Sequence, residues 1–414
     1  MVVMKEYTSR QEMLADLVPA DATMAEIGVF AGDFSEWMLK HLKPKKLYGV
    51  DPYTSTIGVM GSGNQDGFGM EYFELELLRG FVHNRLEQFP AFEQRREFSH
   101  IFFEKLQDGS LDAVYIDGDH SYDAVRGDLE NARHAVKEGG WIFGHDYDLH
   151  PEKGNPEITH AVKPVVEEFC KKYGLTLHAV SNDGIRSFAI QNNSKYKFCI
   201  VSVSDRPALY SKTFPLLQSY CEKHSYSLQL HIDSLDKERH PSWSKIPALS
   251  LALQDCTFDY VVWMDDDIVI TNPDIPLSHF IDKYNFRKLK ATLLVSADMP
   301  NEPSTSVNCG ILFLKAKSPL ALPILQSIWR YADLCPITRT SFSWEQEAVN
   351  FLYRYGDRDD FCIIPLPNFQ APARFQFNLA LSWKPGYFSA HLNNGALPIK
   401  LQTFELLKKV CKFT

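Results

Sequence analysis

No uninterrupted apolar run in the chain approaches the ~18–20 residues of a membrane span. The start, MVVMKEYTSRQEM, lacks the apolar segment of a signal peptide. Eight cysteines, at 170, 199, 221, 256, 309, 335, 362 and 411, form no CxxC pair, which speaks against a zinc ribbon and reads as reduced core thiols. Together these absences predict a cytoplasmic protein with no membrane span. Positive charge is also short: 43 Lys/Arg face 52 Asp/Glu, a net −9, which argues against a nucleic-acid partner. The chain carries no internal repeat and no low-complexity tract. What is there is a globular mix, 45% hydrophobic and 23% charged over 414 residues, enough for a large core and two domains. Residues 1–195 hold 20 Lys/Arg against 31 Asp/Glu, and residues 196–414 hold 23 against 21, so the two halves have different duties.

The first half alternates strands and helices. TMAEIGVF (23–30), KKLYGVD (45–51), LDAVYID (111–117) and WIFGHD (141–146) read as strands. FSEWMLKHL (34–42) and AVRGDLENARHAVKEGG (124–140) carry helical spacing, the latter closing on Gly139-Gly140. Such alternation predicts a parallel sheet covered on both faces. The stretch 54–80 reads as a mobile loop acting as a lid, and QNNSKYK (191–197) as the linker. FCIVSVSD (198–205) then opens a second α/β series with SLQLHID, DYVVWMD, ATLLVSAD and NCGILFLK.

Two constellations carry chemistry. In the first, Glu26-Ile-Gly28-x-x-x-Gly32 lies where a strand passes into a helix, and Asp51 ends the next strand. Glycines there let backbone approach a ligand, and the later acid suits ribose hydroxyls. GxGxxG is absent, so a ligand without phosphates, such as S-adenosylmethionine, fits better than a dinucleotide. Asp117 and Asp146 end later strands, where ligands of open parallel sheets bind. With Tyr115-Ile-Asp117-Gly-Asp119-His120-Ser-Tyr122, Asp128 and Gly-His145-Asp146-Tyr147, the region 20–190 resembles class I S-adenosylmethionine-dependent methyltransferases. The nearest branch is that of small-molecule and sugar O-methyltransferases. The resemblance implies Glu26, Gly28, Gly32, Asp51, Asp117 and Ser99 around the cofactor, Ser99 near the adenine. Some members bind a divalent metal through Asp117 and a later Asp pair, which here reads His145-Asp146. Methyl transfer to a hydroxyl needs a base, for which His120 or His145 is suited. A cap for the helix starting at Tyr122 is the structural alternative for His120.

In the second constellation, Asp265-Asp266-Asp267 sits inside the apolar run YVVWMDDDIVI. Unpaired buried carboxylates are costly, and a divalent cation, Mn²⁺ or Mg²⁺, relieves them. An extended chain would send Asp265 and Asp267 to one side and Asp266 to the other. A capping cluster at a strand end is the competing reading. With Trp243-Ser-Lys245, Asn308-Cys-Gly310, Trp344-Glu345-Gln346 and His391-x-x-Asn394-Gly395, the region resembles metal-dependent DxD glycosyltransferases of the type A fold, nearest to retaining galactosyl- and xylosyltransferases. That implies Asp265, Asp267 and His391 as metal ligands and Glu345 and Gln346 near the reaction centre. Lys245, Asp266, Asn308, Gly310 and Lys400 are assigned to the substrate. The pattern departs at its end: Gly395 stands four residues after His391 instead of three, and Lys400 lies further on.

The resulting expectation is an α/β chain with a methyltransferase domain (1–193) and a glycosyltransferase domain (196–414). It would glycosylate from a nucleotide-sugar donor and O-methylate a hydroxyl of a glycan or small molecule. The alternatives are that one half only binds or scaffolds a glycan, or that Asp117, His145 and Asp146 form a metal site for oxidation or hydrolysis.

Overall fold

A computed structural model describes residues 5–54, 72–148, 161–193, 195–298, 306–340, 344–373, 383–392 and 396–411. The chain divides into two compact units, Met1–Lys195 and Tyr196–Thr414.

Among its described residues, unit 1 has eight strands: β1 (Lys5–Tyr7), β2 (Thr23–Ile27), β3 (Lys46–Val50), β4 (Phe92–Arg95), β5 (Leu111–Ile116), β6 (Val136–Gly144), β7 (Leu177–Ser181) and β8 (Phe188–Gln191). They form one sheet ordered β1-β7-β8-β6-β5-β2-β3-β4. Its central strands are parallel, and only β8 runs against its neighbours. Both faces are covered, one by a cluster including Phe102, Leu129, Val165 and Phe169 and the other by Met13, Phe34, Met38 and Val82. That double cover explains the nearly continuous apolar reading of β2, β5 and β6. The chain winds outward from β2 through β3 and β4 on one side, and from β5 to β6 on the other. The crevice between the carboxyl ends of β2 and β5 is therefore the topological switch point, where ligands of such sheets bind.

Two expectations are corrected here. The helix read through 124–140 is Tyr122–Ala135; Val136 is already extended (φ −79°, ψ 134°) and starts β6. Gly139 (φ +80°) and Gly140 serve the strand: a carbon on Gly140 would lie 2.6 Å from the Asp112 carbonyl, beside a register shift against β5. Of the expected loop 54–80, residues 55–71 lie outside the described residues, while Tyr72–Leu86 is a helix that buries Leu75, Val82 and Leu86. The linker expected at QNNSKYK does hold the division between the two units, at Lys195 and Tyr196. Asn192 is buried and its Nδ2 donates to the carbonyls of Arg133 (3.0 Å) and Val136 (2.9 Å), while Lys195 Nζ donates to His134 O (2.7 Å). Tyr196, one residue on, is buried in unit 2 with its hydroxyl on Asp282 (3.1 Å). Asn192 and Lys195 thus find polar partners inside unit 1.

Unit 2 contains β9 (Phe198–Val203), β10 (Ser227–His231), β11 (Tyr260–Met264), β12 (Ile268–Ile270), β13 (Leu293–Ala297), β14 (Val307–Lys315), β15 (Phe361–Ile364), β16 (Ala371–Pro372) and β17 (Ser389–His391). Six make a mixed sheet, β10-β9-β11-β14-β13-β15, in which β14 is antiparallel to both neighbours. A small sheet, β12-β17-β16, stands beside it. Asp265–Asp267 form the link from β11 of the large sheet to β12 of the small one. The acids thus sit where the two sheets part, and β17 carries His391 opposite Ile268.

Candidate active sites

In unit 1 the switch point is built from backbone. Gly28 (φ +88°) has no room for a side chain, since a carbon there would lie 2.1 Å from the Asp117 carbonyl oxygen. Gly32 (φ +77°) caps the helix Asp33–His41. Asp51, at the end of β3, staples this loop: Oδ2 accepts from Val29 N and Phe30 N, both at 3.0 Å, and Oδ1 from Tyr53 N at 2.8 Å. Glu26 points inward and accepts from Ser35 Oγ. Burial pushes its carboxyl up to about 8, so it is protonated at neutral pH. Ser99 starts the helix Ser99–Lys105 and bonds the buried Asp128, which burial raises to about 6.

At the end of β5 and β6 four side chains converge. His120 Nε2 lies 2.7 Å from Asp146 and 3.8 Å from Asp117; His145 Nδ1 lies 3.1 Å from Asp146 and 3.5 Å from Asp117. Burial lowers the imidazole pKa values, but the two carboxylates outweigh it and raise both to about 9. Asp117 and Asp146 are held below the usual range by the same contacts, against their own burial. Asp146 adopts the left-handed region (φ 56°), a strained conformation of the kind that clusters at functional sites. Asp117, His120 and Asp146 also offer ligand atoms within 4.8 Å of one another, a spacing compatible with a cation. His120 does not cap the following helix; Ser121 is the cap residue and its N–H is taken by Asp119 Oδ1 (2.8 Å). A small cleft lined by Gly118, Asp119, His120, His145 and Phe188 opens beside the four.

Arg10 is the residue the motifs missed. It opens the first helix, stacks 4.3 Å over the Phe34 ring, donates to Tyr115 Oη at 3.2 Å and lies 3.5 Å from Asp117. Nothing in MVVMKEYTSRQEM marks it, because its partners come from β5 and the helix after β2.

In unit 2 the acids do segregate, by a turn and not by strand alternation: Ile268 N donates to Asp265 O at 3.0 Å. Asp265, Asp267 and His391 bring ligand atoms within 4.8 Å of one another. Asp266 turns away to Ser204 Oγ and the Arg206 guanidinium, whose Nε donates at 3.0 Å. The premise that these acids are unpaired is corrected, since each has a cationic side chain. Lys245 Nζ lies 3.4 Å from Asp265; Arg206 takes Asp266; Lys400 takes Asp267, whose other oxygen is 3.2 Å from His391 Nε2. Burial raises Asp265 and Asp266, whereas the charges of His391, Lys400 and Arg206 overcome burial at Asp267 and hold it low.

Lys245 is an internal counter-ion. It is buried, donates to Glu345 Oε1 (2.7 Å) and Cys309 O (2.9 Å), and its charge is kept despite desolvation by Asp265 and Glu345. Glu345 Oε2 is buried with no hydrogen-bond partner among the described residues. Gln346 Oε1 accepts from Cys309 N (3.3 Å). Asn308 bridges Asp298 (3.0 Å) and Gly310 N (3.0 Å), and Gly310 O accepts from Asp265 N (2.8 Å), so β14 braces the acidic turn. Asn394 and Gly395 lie outside the described residues. Arg206 directly follows FCIVSVSD, and only its place after a strand end hinted at it. Two carboxylates and an imidazole at this spacing fit a hard or borderline divalent ion.

The family description "Methyltransferase domain" matches residues 25–147, and the galactosyl transferase GMA12/MNN10 family matches residues 202–309. The chain joins a methyltransferase domain to a glycosyltransferase domain. An uncharacterized protein of Acanthamoeba polyphaga mimivirus is 27% identical over 148 residues, 36% of this chain and 61% of that relative. The chain therefore spans about three fifths of that relative's length. Among solved structures, a glycosyltransferase involved in glycosylation of the major capsid of PBCV-1 matches 51% of this chain and 99% of its own, at 18% identity and TM-score 0.42. A SAM dependent methyltransferase from Aquifex aeolicus matches 44% of this chain and 88% of its own, at 14% identity and TM-score 0.31. Among the described residues no helix is long and apolar enough to cross a membrane.

Proposed function

We propose that this chain is a bifunctional glycan-modifying enzyme. Its C-terminal domain transfers a sugar from a nucleotide-sugar donor, and its N-terminal domain O-methylates a hydroxyl of the same glycan or of a small molecule. The observation that carries the reading is the gathering of Asp265, Asp267 and His391, from β11–β12 and β17, on the glycosyltransferase-matched half. These three would hold Mn²⁺ or Mg²⁺, which when bound offsets charge on the departing nucleoside diphosphate. Lys245 opposes the burial that raises Asp265. Lys400 and Arg206 supply positive charge beside the diphosphate. Asn308, Gly310 and Asp266 shape the donor pocket, and Glu345 and Gln346 flank the reacting carbon.

In the methyltransferase domain, Gly28, Gly32, Asp51, Ser99, Glu26 and Asp117 surround S-adenosylmethionine, which supplies an electrophilic methyl group. The close approach of the Gly28 loop to β5 supports this placement. His120 or His145 takes the proton of the acceptor hydroxyl, oriented by Asp117 and Asp146. Because both imidazoles are raised to about 9, the basic form gains population only as pH rises. The acceptor is a hydroxyl compound and not a nucleic acid, in keeping with the net charge of −9. All eight cysteines are free thiols, which supports a cytoplasmic place of action.

The test supplies the protein with methyl-labelled S-adenosylmethionine, Mn²⁺ and a panel of nucleotide sugars with hydroxyl acceptors. The reading expects metal-dependent nucleotide-sugar cleavage and methyl label in the glycosylated product. Nucleotide-sugar cleavage without any methyl incorporation would instead favour a glycan-binding N-terminal domain.

A further inference from the structure

Gln370 stands just before β16, is fully buried, and belongs to no motif read from the sequence. Its amide nitrogen is committed: Nε2 donates to Ser296 Oγ at 2.7 Å and, more distantly, to the Asn308 carbonyl at 3.4 Å. A carbonyl only accepts, so the nitrogen end must face Asn308, and the oxygen end faces away from it. That oxygen, Oε1, is buried and has no hydrogen-bond partner among the described residues. A buried amide oxygen left unpaired is costly, so its surroundings call for a donor.

Those surroundings are the imidazole of His391. A carbon built on Gly310 would lie 2.3 Å from Gln370 Oε1, 2.6 Å from His391 Cε1 and 3.0 Å from His391 Nδ1. Oε1 and the Nδ1 edge of the ring therefore crowd the same spot over Gly310, which is open to both only because glycine lacks a side chain. The ring's other nitrogen, Nε2, is turned toward Asp267 at 3.2 Å. The backbone enforces the arrangement: β17 lies between β12, which follows Asp267, and β16, which follows Gln370.

We infer that Gln370 is a positioning residue for the cation site: its Oε1, unpaired in this structure, becomes the acceptor of the Nδ1–H of His391 when the ring ligates an ion. That bond selects the tautomer whose Nε2 carries the lone pair and aims it at the ion shared with Asp265 and Asp267. It is the outer-shell partner that a ligating histidine requires. The inference rests on the diphosphate-site reading above and names the residue that orients its nitrogen ligand.

The test is a titration of the full chain with MnCl₂ alone, followed by electron paramagnetic resonance, with melting temperatures in EDTA as the folding control. Gln370→Met removes the acceptor and is expected to raise the Mn²⁺ dissociation constant about 10–100-fold. Gln370→Glu keeps an acceptor oxygen and should stay within about threefold of the wild type or bind more tightly, with an EDTA melting temperature matching that of Gln370→Met. A purely packing role would not separate the two variants in this way. Should Gln370→Met fail to fold, Gln370→Asn, which withdraws the amide by one carbon, carries the same comparison. If Gln370→Met binds Mn²⁺ as the wild type does while His391→Ala loses it, this inference alone fails. If His391→Ala binds Mn²⁺ unchanged, the cation-site reading falls and the inference with it.

Discussion

Replacing Lys400 by methionine removes the cation from one oxygen of Asp267 and keeps the length and helix propensity of the side chain. Both partners are largely buried, with side-chain exposures of 11% and 7%. Breaking a buried pair from one side costs about 3–5 kcal/mol because a charge is left behind. His391 and Arg206 remain near Asp267, at 3.2 and 3.9 Å, and compensate part of the charge, so the cost falls to the bottom of that range or just below it, about 2–3 kcal/mol. For a unit of this size, residues 196–414, that is a fall of about 5–10 °C in melting temperature. In the wild type a divalent ion must part Lys400 from Asp267, whereas in Lys400→Met it need not. The variant should therefore bind Mn²⁺ about tenfold more tightly or better, since 1.4 kcal/mol is a factor of ten. Mn²⁺ should also restore most of its lost melting temperature. A nucleoside diphosphate added with Mn²⁺ should show the opposite sign, weaker binding to the variant, because the displaced ammonium is then missing. Thermal unfolding in EDTA and in Mn²⁺, with and without the diphosphate, reads all three. An EDTA melting curve superimposed on the wild type, or weaker Mn²⁺ binding by the variant, refutes the reasoning.

Three further outcomes follow from the methyltransferase domain. The Glu26 carboxyl keeps its proton up to about pH 8 when folded and ionises near 4.5 when unfolded, so wild-type stability falls as pH rises between those values. The limiting slope is about 1.4 kcal/mol per pH unit, and Glu26→Gln should remove it in urea unfolding across that range. Gly28→Ala places a carbon 2.1 Å from the Asp117 carbonyl in a left-handed conformation, and should weaken S-adenosylmethionine binding at least tenfold in calorimetry. The raised imidazoles give the opposite linkage to an acid's usual one: their ion pairs stabilise fully below about pH 6.5 and are lost as pH climbs through about 9. Methyl transfer should accelerate over the same climb, and a profile flat from pH 7 to 9.5 in both His120→Gln and wild type would rule out His120 as the base.

Local pattern was enough for the strands and for the motif positions. Apolar runs bounded by glycine or aspartate located β2, β3, β5 and β11, because a strand buried on both faces writes its length directly into composition. The turn at Gly28 was legible for a similar reason: only glycine fits where two backbones nearly touch. The helix boundary failed at Gly139-Gly140, which serve β6, whereas the units do divide inside QNNSKYK.

Pairing was decided by tertiary structure alone. The sequence placed three acids in an apolar run and could not show that Lys245, Arg206 and Lys400, from 60 residues before to 133 after, would come to neutralise them. It did set Asp266 apart from its neighbours, but by the wrong cause, since a turn and not an extended strand does so. Arg10 and Gln370 were invisible for the same reason. A side chain's role in a site depends on which charges and dipoles stand within a few ångströms, and in a doubly wound fold those neighbours arrive from other strands.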